Sequence, residues 1–379
     1  MRLFDTRQRA VRDLAAGAAV RMYVCGITPY DSTHLGHAFT YIVFDALIRV
    51  LEHRGHTVRY VRNVTDVDDD ILRKARELGV DYLDLARREV ARFDRDLAAL
   101  GLRQPDVEPR ATETVPAIAR AVRGLVDAGV AYPTGDGRVY VDTQATEQFG
   151  RLARLDADEA LRQFAEKGGD PEAPGKRAPL DFLLWQPSGP DEPSWDSDFG
   201  PGRPGWHIEC SVMAQEHLGA TIDIHGGGND LVFPHHEAEI VQAEHLTGDA
   251  PFARFWMHTG MVAWDGAKMS KSLGNLVFVR DLLERFEPGA LRRYLLEHHY
   301  RADWAFADDE LAESAGAFKV WRDVAGGDGA RPDLVAPFHA ALDDDLDIPG
   351  AVAVLDEAAA AGAGATVREL APILGFVLG

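Results

Sequence analysis

The sequence is poor in cysteine and in basic residues, and it lacks any long hydrophobic run. Only two of its 379 residues are cysteines, Cys25 and Cys210, which excludes a scaffold held together by disulfides. The 40 Lys and Arg residues face 61 Asp and Glu residues, and this net charge of -21 argues against a protein that mainly grips a phosphate backbone. Because no apolar run could span a membrane and the N-terminus lacks the apolar core of a signal peptide, we expect a cytoplasmic protein without a membrane segment.

The overall composition is that of an ordinary globular protein, 46% apolar and 27% charged. Strand patterns and helix patterns alternate along the first part of the chain. Strands are predicted at 21–25, 56–64, 221–225 and 254–258, and helices at 38–53 and from Pro234 onward. An alternating βαβ order predicts a parallel sheet covered by helices, that is, an α/β fold.

The composition changes twice along the chain, and these changes predict the domain boundaries. Residues 131–205 contain one short strand, 139–142, and then a stretch rich in Gly, Pro and acidic residues, which we interpret as an insertion. The insertion splits an α/β domain that comprises residues 1–130 and 206–279. From residue 280 to 379 the periodicity is helical throughout, apart from a linker at 326–332, and predicts a C-terminal helical bundle.

The motif HLGH, His34 to His37, lies where the first predicted loop becomes a helix. Free backbone N–H groups at a helix N-terminus attract phosphate, and the imidazoles of His34 and His37 would add donors. Alone, such a motif is more often a turn with capping histidines.

The motif KMSKS, Lys268 to Ser272, follows the last predicted strand of the α/β domain. Lys268 and Lys271 could neutralise charge on a pyrophosphate leaving group, although an exposed lysine loop is unremarkable by itself. The ordered pair HLGH and KMSKS is much more specific, and it resembles the signature of class I aminoacyl-tRNA synthetases. This resemblance implies a Rossmann-like, HUP-type catalytic domain that uses ATP with Mg²⁺.

A third group of residues is suited to a metal. Cys25, Cys210, His235 and Glu239 supply two thiolates, an imidazole and a carboxylate, a set matched to Zn²⁺. His235 and Glu239 are four residues apart and would share one face of a helix. Each cysteine alone would more often be an inert core thiol.

With the first two motifs, this set resembles the cysteinyl-tRNA synthetases and their small-molecule relatives. The resemblance implies that one zinc ion binds the thiolate of substrate cysteine, a preference that serine cannot match. It also implies a cysteinyl-adenylate pocket whose walls are Gly26, Ile27, Thr28, Thr40, Asn63, Val64, Thr65, Trp206, Gly228, Asn229, Asp230 and Val262. Trp206 could equally be a core aromatic residue.

The acceptor of the activated cysteine is the open question. The segments CGITPYDSTHLGHA and FAEKGGDPEAPGKR resemble the cysteine ligases of mycothiol biosynthesis, which join cysteine to the amine of glucosaminyl-inositol. Glu239 and the segment 108–113 are instead similar to the tRNA synthetases, so participation of Glu239 in the zinc shell stays open. Residues 281–379 contain 8 Lys and Arg against 19 Asp and Glu, a net of -11 that disfavours RNA binding.

We therefore expect an ATP-dependent ligase that forms cysteinyl-AMP and transfers cysteine to a small amine, most plainly that of glucosaminyl-inositol. We also expect a monomer without an anticodon-binding domain, whose partners are L-cysteine, ATP and the amine rather than tRNA. Two enzymatic alternatives remain open: an atypical cysteinyl-tRNA synthetase that charges tRNA-Cys, and a related ligase that uses another amine. A catalytically silent binding protein is a third alternative, against which the intact HLGH and KMSKS motifs argue.

Overall fold

The computed structural model describes residues 1–30, 33–147, 149–264, 266–269 and 275–379. Its secondary structure begins with a short hairpin, then alternates strands with helices, and ends in a helical region. In chain order the strands are β1 (Arg2–Asp5), β2 (Ala10–Asp13), β3 (Ala19–Ile27), β4 (Thr57–Val64), β5 (Ala131–Pro133), β6 (Val139–Val141), β7 (Leu183–Pro187), β8 (Gly202–Pro204), β9 (Ile222–Gly228), β10 (Ala253–Thr259), β11 (Val262–Trp264), β12 (Ala267–Lys268) and β13 (Trp304–Ala305).

The helices lie mostly between β3 and β4, after β4, and in the last hundred residues. They are α1 (Leu35–His53), α2 (Asp69–Leu78), α3 (Tyr82–Ala99), α4 (Ala111–Asp127), α5 (Ala157–Glu166), α6 (Trp206–Leu218), α7 (Glu237–Thr247), α8 (Val279–Leu283), α9 (Pro288–Leu296), α10 (Asp308–Ala325), α11 (Val335–Asp343), α12 (Ile348–Ala360) and α13 (Gly364–Leu370). None of these described helices combines the length and the hydropathy that crossing a bilayer requires.

Four parallel strands form the central sheet, in the order β10-β9-β3-β4. Helices cover both faces of such a sheet, so its strands are apolar along their whole length rather than on alternate residues. In β3, for example, Met22, Tyr23 and Val24 are all fully buried. The α/β fold predicted from the sequence is confirmed, and each of the four predicted strands overlaps one strand of this sheet.

Helix α1 joins the central sheet to the C-terminal helices. Its side chains are buried over most of its circumference, which is the pattern of a helix enclosed on several sides. One continuous apolar core contains Val20 and Met22 of β3, Phe44 of α1, and Leu291 and Leu295 of α9. The central sheet and the helical region therefore share a core.

A buried ion pair also connects these parts. Asp45 of α1 accepts hydrogen bonds from the guanidinium of Arg292 in α9, from Nε of Arg49 at 2.8 Å and from the backbone N–H of Arg103 at 2.7 Å. Arg292 also donates to the carbonyls of Leu100 and Leu374, at 3.0 and 2.8 Å. Each charge is thus neutralised and hydrogen-bonded, as burial requires.

The insertion is more regular than its Gly- and Pro-rich sequence indicates. Strands β5, β6, β7 and β8 form an antiparallel sheet, against which α5 and α4 enclose a separate apolar core. The sequence predicted one strand here, 139–142, which overlaps β6, and it missed β5, β7 and β8, because strands of three to five residues seldom show a clear alternating pattern.

One local prediction is wrong. The region after residue 280 was expected to be entirely helical, yet Trp304–Ala305 forms β13, which pairs in parallel with β11. The helix predicted from Pro234 is present, since Val232–His236 form a π-helical turn with a kink at Phe233 and the chain continues directly into α7. Phe233 has extended backbone angles, φ -136° and ψ 136°, and its side chain is buried in the core of the insertion.

Candidate functional site

A cavity of about 590 Å³ opens at the carboxyl ends of the central strands. Open α/β sheets bind their ligands in this position, just outside the strand ends. Its walls include the end of β3, the first turn of α1, the beginning of α6, and the segment that follows β10. The sequence motifs predicted to carry the chemistry are on these same elements.

His34 and His37 both line this cavity. His34 is the N-cap of α1, and its Nδ1 accepts a hydrogen bond of 3.3 Å from the backbone N–H of His37. The two imidazole rings stack with centroids 3.7 Å apart. The predicted arrangement, two histidines at a helix N-terminus facing a cavity, is therefore present.

The KMSKS motif is described only in part. Lys268 lies in β12 by its backbone, Met269 lines the cavity, and Lys271 lies outside the described residues. The segment after the motif returns to HLGH, since the N–H of Leu35 donates to the carbonyl of Val277 at 2.8 Å. The roles predicted for Lys268 and Lys271 remain predictions.

The four residues predicted as metal ligands converge. Sγ of Cys25 and Cys210, a ring nitrogen of His235 and a carboxylate oxygen of Glu239 all lie within 4.8 Å of one another. Each residue is at least nine-tenths buried, and they come from three elements, β3, α6 and the segment leading into α7. The fold thus unites two cysteines that are far apart in sequence.

The donor set fits a divalent cation. Nε2 of His235 lies 3.1 Å from Oε1 of Glu239 but makes no hydrogen bond with any described atom, as expected for two ligands that face a shared ion. Contact with the Cys25 thiol lowers the pKa of Cys210 to about 6, whereas burial raises the pKa of Cys25. The second thiol would therefore ionise only with an added positive charge, which a metal supplies.

A second possible donor set overlaps the first. Cys25 and Glu239 also lie within ligand distance of His225 and His236. Nε2 of His225 is 2.9 Å from Oε2 of Glu239, and burial lowers the pKa of His236 well below its ordinary value. These histidines surround the predicted ligands and were missed by the sequence analysis, although His225 ends a predicted strand and His236 adjoins His235.

The residues predicted to contact the adenylate fall into two groups. Those that line the cavity are Gly26, Ile27, Thr28, Thr40, Trp206, Gly228, Asp230 and Val262. The others, Asn63, Val64, Thr65 and Asn229, do not line it. The first three of these end β4 and support the wall from behind, because Thr65 donates its N–H to the carbonyl of Ile27 at 2.9 Å.

Gly26 shows why the wall has this composition. Its backbone N–H donates to Oδ1 of Asn63 at 2.7 Å, and a Cβ at this position would lie 1.6 Å from the Asn63 carbonyl oxygen. Only glycine permits this close approach of β3 to β4, which turns the end of β3 into the cavity. Glycine is therefore required at position 26 for the packing of β3 against β4, independently of any contact with a ligand.

Trp206 lies over the metal-ligand cluster. It is the first residue of α6, and its indole stacks on the His235 ring with centroids 4.2 Å apart. The residue lines the cavity rather than the core of the sheet. The interpretation of Trp206 as a simple core aromatic residue is therefore not supported.

The insertion contributes a wall that the sequence analysis assigned only loosely. Phe164, Lys167 and Gly169 line the cavity, and Nζ of Lys167 donates to the carbonyls of Asp230 and Phe233 at 2.7 and 2.6 Å. These bonds hold the insertion against the chain that leads into α7. The motif EKGGDP was quoted for its resemblance, and its GG pair is the signal that could have located this contact.

Acidic side chains form another part of the wall that was missed. Asp68, which is partly buried, and Glu209, which is almost fully buried, both line the cavity. Burial raises the pKa of Asp68 to about 6, and it also raises the pKa of Glu209, on which the negative charges of Cys210 and Asp68 act in the same direction. Glu209 stands between Trp206 and Cys210 in the sequence WHIEC, which could have suggested it.

The parallel sheet and the cavity at its carboxyl edge define a catalytic domain of the class I synthetase type. The sequence model of the family described as "tRNA synthetases class I (C) catalytic domain" matches residues 12–316. Among solved structures, methionyl-tRNA synthetase from Mycobacterium tuberculosis in complex with methionyl-adenylate has a similar fold. Its TM-score is 0.65 at 18% identity, with 94% of this chain and 89% of that chain covered.

Two relatives specify the family further, and both are named L-cysteine:1D-myo-inositol 2-amino-2-deoxy-alpha-D-glucopyranoside ligase. The protein from Thermobispora bispora is 48% identical over 95% of this chain and 90% of its own length. The protein from Mycobacterium ulcerans is 50% identical over 94% of this chain and 88% of its own length. The chain belongs to this ligase family within the class I (C) synthetases, and the resemblance stated from its motifs is confirmed.

Proposed function

We propose that the protein is an ATP-dependent cysteine ligase that forms cysteinyl-AMP and then transfers cysteine to the amine of glucosaminyl-inositol. The observation that supports this best is the meeting of two sites at one cavity. The buried set of thiolate, imidazole and carboxylate donors reaches this cavity through Cys25, and the N-terminus of α1 with His34 and His37 lies in its wall. A thiol-bearing amino acid and a nucleotide phosphate could therefore be bound side by side.

The residues suited to zinc are Cys25, Cys210, His235 and Glu239. When bound, zinc supplies a Lewis acid that lowers the pKa of the substrate thiol and favours its thiolate. Serine offers a poor ligand for the same position, so selection against serine follows without an editing step. Trp206, which stacks on His235 and lines the cavity, would lie beside the bound cysteine.

The first half-reaction joins cysteine to AMP. A carboxylate oxygen of cysteine attacks the α-phosphorus of ATP, the new O–P bond replaces the bond to the bridging oxygen, and pyrophosphate leaves with the electron pair. His34 and His37 at the N-terminus of α1 stabilise the phosphoryl oxygens, aided by the partial positive charge of the helix. Lys268 and Lys271 would act on the departing pyrophosphate, which Mg²⁺ accompanies as part of the co-substrate.

The second half-reaction forms the amide. The uncharged amine of the acceptor attacks the carbonyl carbon of the mixed anhydride, the C–N bond replaces the C–O bond to AMP, and the amine loses one proton. The walls formed by Phe164, Lys167 and Asp68 border the space beside the adenylate pocket, and they are suited to a polar acceptor. Holding both reactants in one cavity supplies the main rate advantage of this step.

Exchange of labelled pyrophosphate into ATP tests the first half-reaction. We expect exchange that depends on cysteine, with kcat/KM for serine lower by about a thousandfold or more. Equal exchange with serine, or none with cysteine, would refute the ligase assignment. The second half-reaction is tested by transfer of labelled cysteine to glucosaminyl-inositol, to other small amines and to tRNA-Cys in parallel.

Charging of tRNA-Cys is the second candidate function, and Glu239 is the observation that favours it. Its carboxylate completes the donor set in the manner of the tRNA synthetases. The net charge of -11 over residues 281–379 disfavours an RNA-binding surface there. We expect transfer to the amine to exceed transfer to tRNA, and preferential tRNA charging would reverse the order of the two candidates.

A further inference from the structure

Glu209 has a buried carboxylate oxygen that the fold leaves without a partner. The residue is 1% exposed and lines the cavity, and its Oε2 makes no hydrogen bond with any described residue. Burying a charged group without a partner is costly, so native proteins rarely do so away from a functional site. The unpaired oxygen therefore needs a physical reason.

Other buried glutamates nearby show what a satisfied carboxylate looks like in this protein. Glu237 accepts three backbone hydrogen bonds, from Gly150, Leu152 and Ala153, at 3.0, 2.5 and 2.6 Å. Glu244 accepts from the backbone N–H of Phe252 at 3.1 Å and pairs with a guanidinium. The fold thus provides donors for buried glutamates elsewhere, and Oε2 of Glu209 is an exception in a residue that lines the cavity.

The position of Glu209 indicates what it binds. It precedes Cys210, a predicted ligand of the zinc that would hold the substrate sulfur, and it lies one helical turn after Trp206. In cysteine the sulfur and the α-nitrogen are on adjacent carbon atoms. A substrate whose sulfur is fixed beside Cys210 can therefore bring its α-nitrogen to a carboxylate next to that residue.

Charge favours the same occupant. Asp68 and Asp66 add negative charge close to Glu209, and Asp68 lines the same cavity. A cation entering this part of the cavity is attracted by all of these groups, and the low dielectric of the interior strengthens the attraction. We propose that Glu209 is the binding residue for the α-ammonium group of substrate cysteine, an inference that rests on the ligase function proposed above.

The acceptor amine carries the same chemical group but is a poorer occupant. It must be uncharged to attack the mixed anhydride, whereas a carboxylate holds an amine in its protonated, unreactive form. The α-amine of cysteine takes no part in either half-reaction, so its protonation costs nothing and also prevents it from attacking a second adenylate. Glu209 thus distinguishes the nitrogen that must not react from the nitrogen that must.

Two thiols that each lack one group of cysteine test the inference by direct binding. Cysteamine retains the thiol and the ammonium group, and 3-mercaptopropionate retains the thiol and the carboxylate. Titration calorimetry of the zinc-loaded protein measures both affinities without any turnover. For Glu209→Gln, which keeps the size of the side chain, we expect the Kd of cysteamine to rise about 10- to 100-fold and that of 3-mercaptopropionate to stay within about twofold.

Glu216→Gln is the matched control, since it changes the same residue type at an exposed position of the same helix, and we expect neither affinity to change. Zinc content of Glu209→Gln should equal that of the wild type. Glu209→Asp provides a second variant, with an intermediate Kd for cysteamine, if the glutamine variant folds poorly.

Three results would overturn the inference. Both thiols could weaken equally, which would indicate a structural role, or neither could weaken. Alternatively, Glu209→Gln could raise the KM of the acceptor amine in the complete reaction while cysteine-dependent exchange stays normal, which would make the acceptor the occupant. A failure of the proposed function is recognised separately, because the wild type itself would then lack cysteine-dependent exchange.

Discussion

Two regions of the molecule bury charged groups, and they treat them in opposite ways. At the junction of α1 with the C-terminal helices, Asp45 and Arg292 form an ion pair. Asp45 also accepts hydrogen bonds from Arg49 and Arg103, and Arg292 also donates to two backbone carbonyls. At the carboxyl edge of the central sheet, Nε2 of His235 and Oε2 of Glu209 have no hydrogen-bond partner among the described residues.

The difference distinguishes buried charged groups that stabilise the fold from buried polar groups that are available to bind a ligand. A completed ion pair has no capacity left for a further partner, and removing one member leaves the other uncompensated. A buried polar group without a hydrogen-bond partner is costly in the ligand-free protein, but a bound ligand can supply that partner. The comparison predicts that substitutions at the junction change stability and leave kinetics intact, and that substitutions at the site do the reverse.

The largest expected effect is at a metal ligand. Cys210→Ala removes one thiolate from the cluster, and we expect loss of bound zinc and a fall in cysteine-dependent exchange of about a thousandfold or more. Metal analysis of the purified protein and pyrophosphate exchange measure both effects. Val212→Ala, a buried truncation on the same helix, should keep its zinc. A Cys210→Ala protein with stoichiometric zinc would contradict the ligand assignment.

The next effect is at the junction. Asp45→Asn leaves the buried guanidinium of Arg292 uncompensated, so we expect the free energy of unfolding to fall by about 3–5 kcal/mol in urea titrations. The exposed pair of Arg2 and Asp344 is the control, and Asp344→Asn should change stability by less than about 1 kcal/mol. The comparison predicts an unchanged KM for cysteine at temperatures where the Asp45→Asn protein is folded, and an altered KM would contradict it.

The same aspartate predicts a pH dependence. Burial raises the pKa of Asp45, but the charges of Arg292 and Arg49 outweigh burial and bring the pKa below its ordinary value of 3.8. Because the unfolded chain takes up this proton first, the contribution is complete above about pH 4 and is lost as the pH falls below that value. The wild type should therefore lose more stability than Asp45→Asn over this acidic range.

A smaller effect is expected at His225, which contacts the predicted metal ligand Glu239. His225 contacts the outer carboxylate oxygen of Glu239 at 2.9 Å and orients it. His225→Phe should lower zinc affinity about 10- to 100-fold, measured by competition with a chelator, since groups behind a metal ligand typically contribute this much. His217→Phe, near the end of α6, is the control and should bind zinc normally. Unchanged affinity in His225→Phe would show that Glu239 needs no support from His225.

The smallest effect is expected at the insertion. Lys167→Met removes the hydrogen bonds to the carbonyls of Asp230 and Phe233, and we expect the KM for cysteine to rise by up to about tenfold with zinc content unchanged. Steady-state exchange measures this, with the exposed Lys319→Met as control. A loss of zinc in Lys167→Met would show that the insertion supports the metal cluster as well as the cavity wall.

The sequence predicted the parts of the fold whose patterns are long. Strands β3, β4, β9 and β10 and helix α1 were found because their apolar runs extend over five or more residues. The hairpin of β1 and β2 and the strands β5, β7 and β8 of the insertion were missed, since each is at most five residues long and depends on pairing with a neighbouring strand.

The site shows a similar limit. Cys25, Cys210, His235 and Glu239 could be predicted because their chemistry is distinctive and their motifs resemble a family. Glu209 and His225 were missed, because a glutamate in a helix or a histidine in a strand is ordinary until the fold shows which atoms lack a partner.

Helix α1 is continuous and connects the two regions of the comparison. His34 and His37 are at its beginning, Asp45 is near its middle, and Arg54, just beyond its end, pairs with Asp343 of α11 at 2.5 Å. Its nineteen residues span about 28 Å, so the helix reaches from the cavity to the C-terminal helices. The ion pairs that Asp45 and Arg54 form with those helices therefore hold in place the helix whose N-cap and first turn carry His34 and His37.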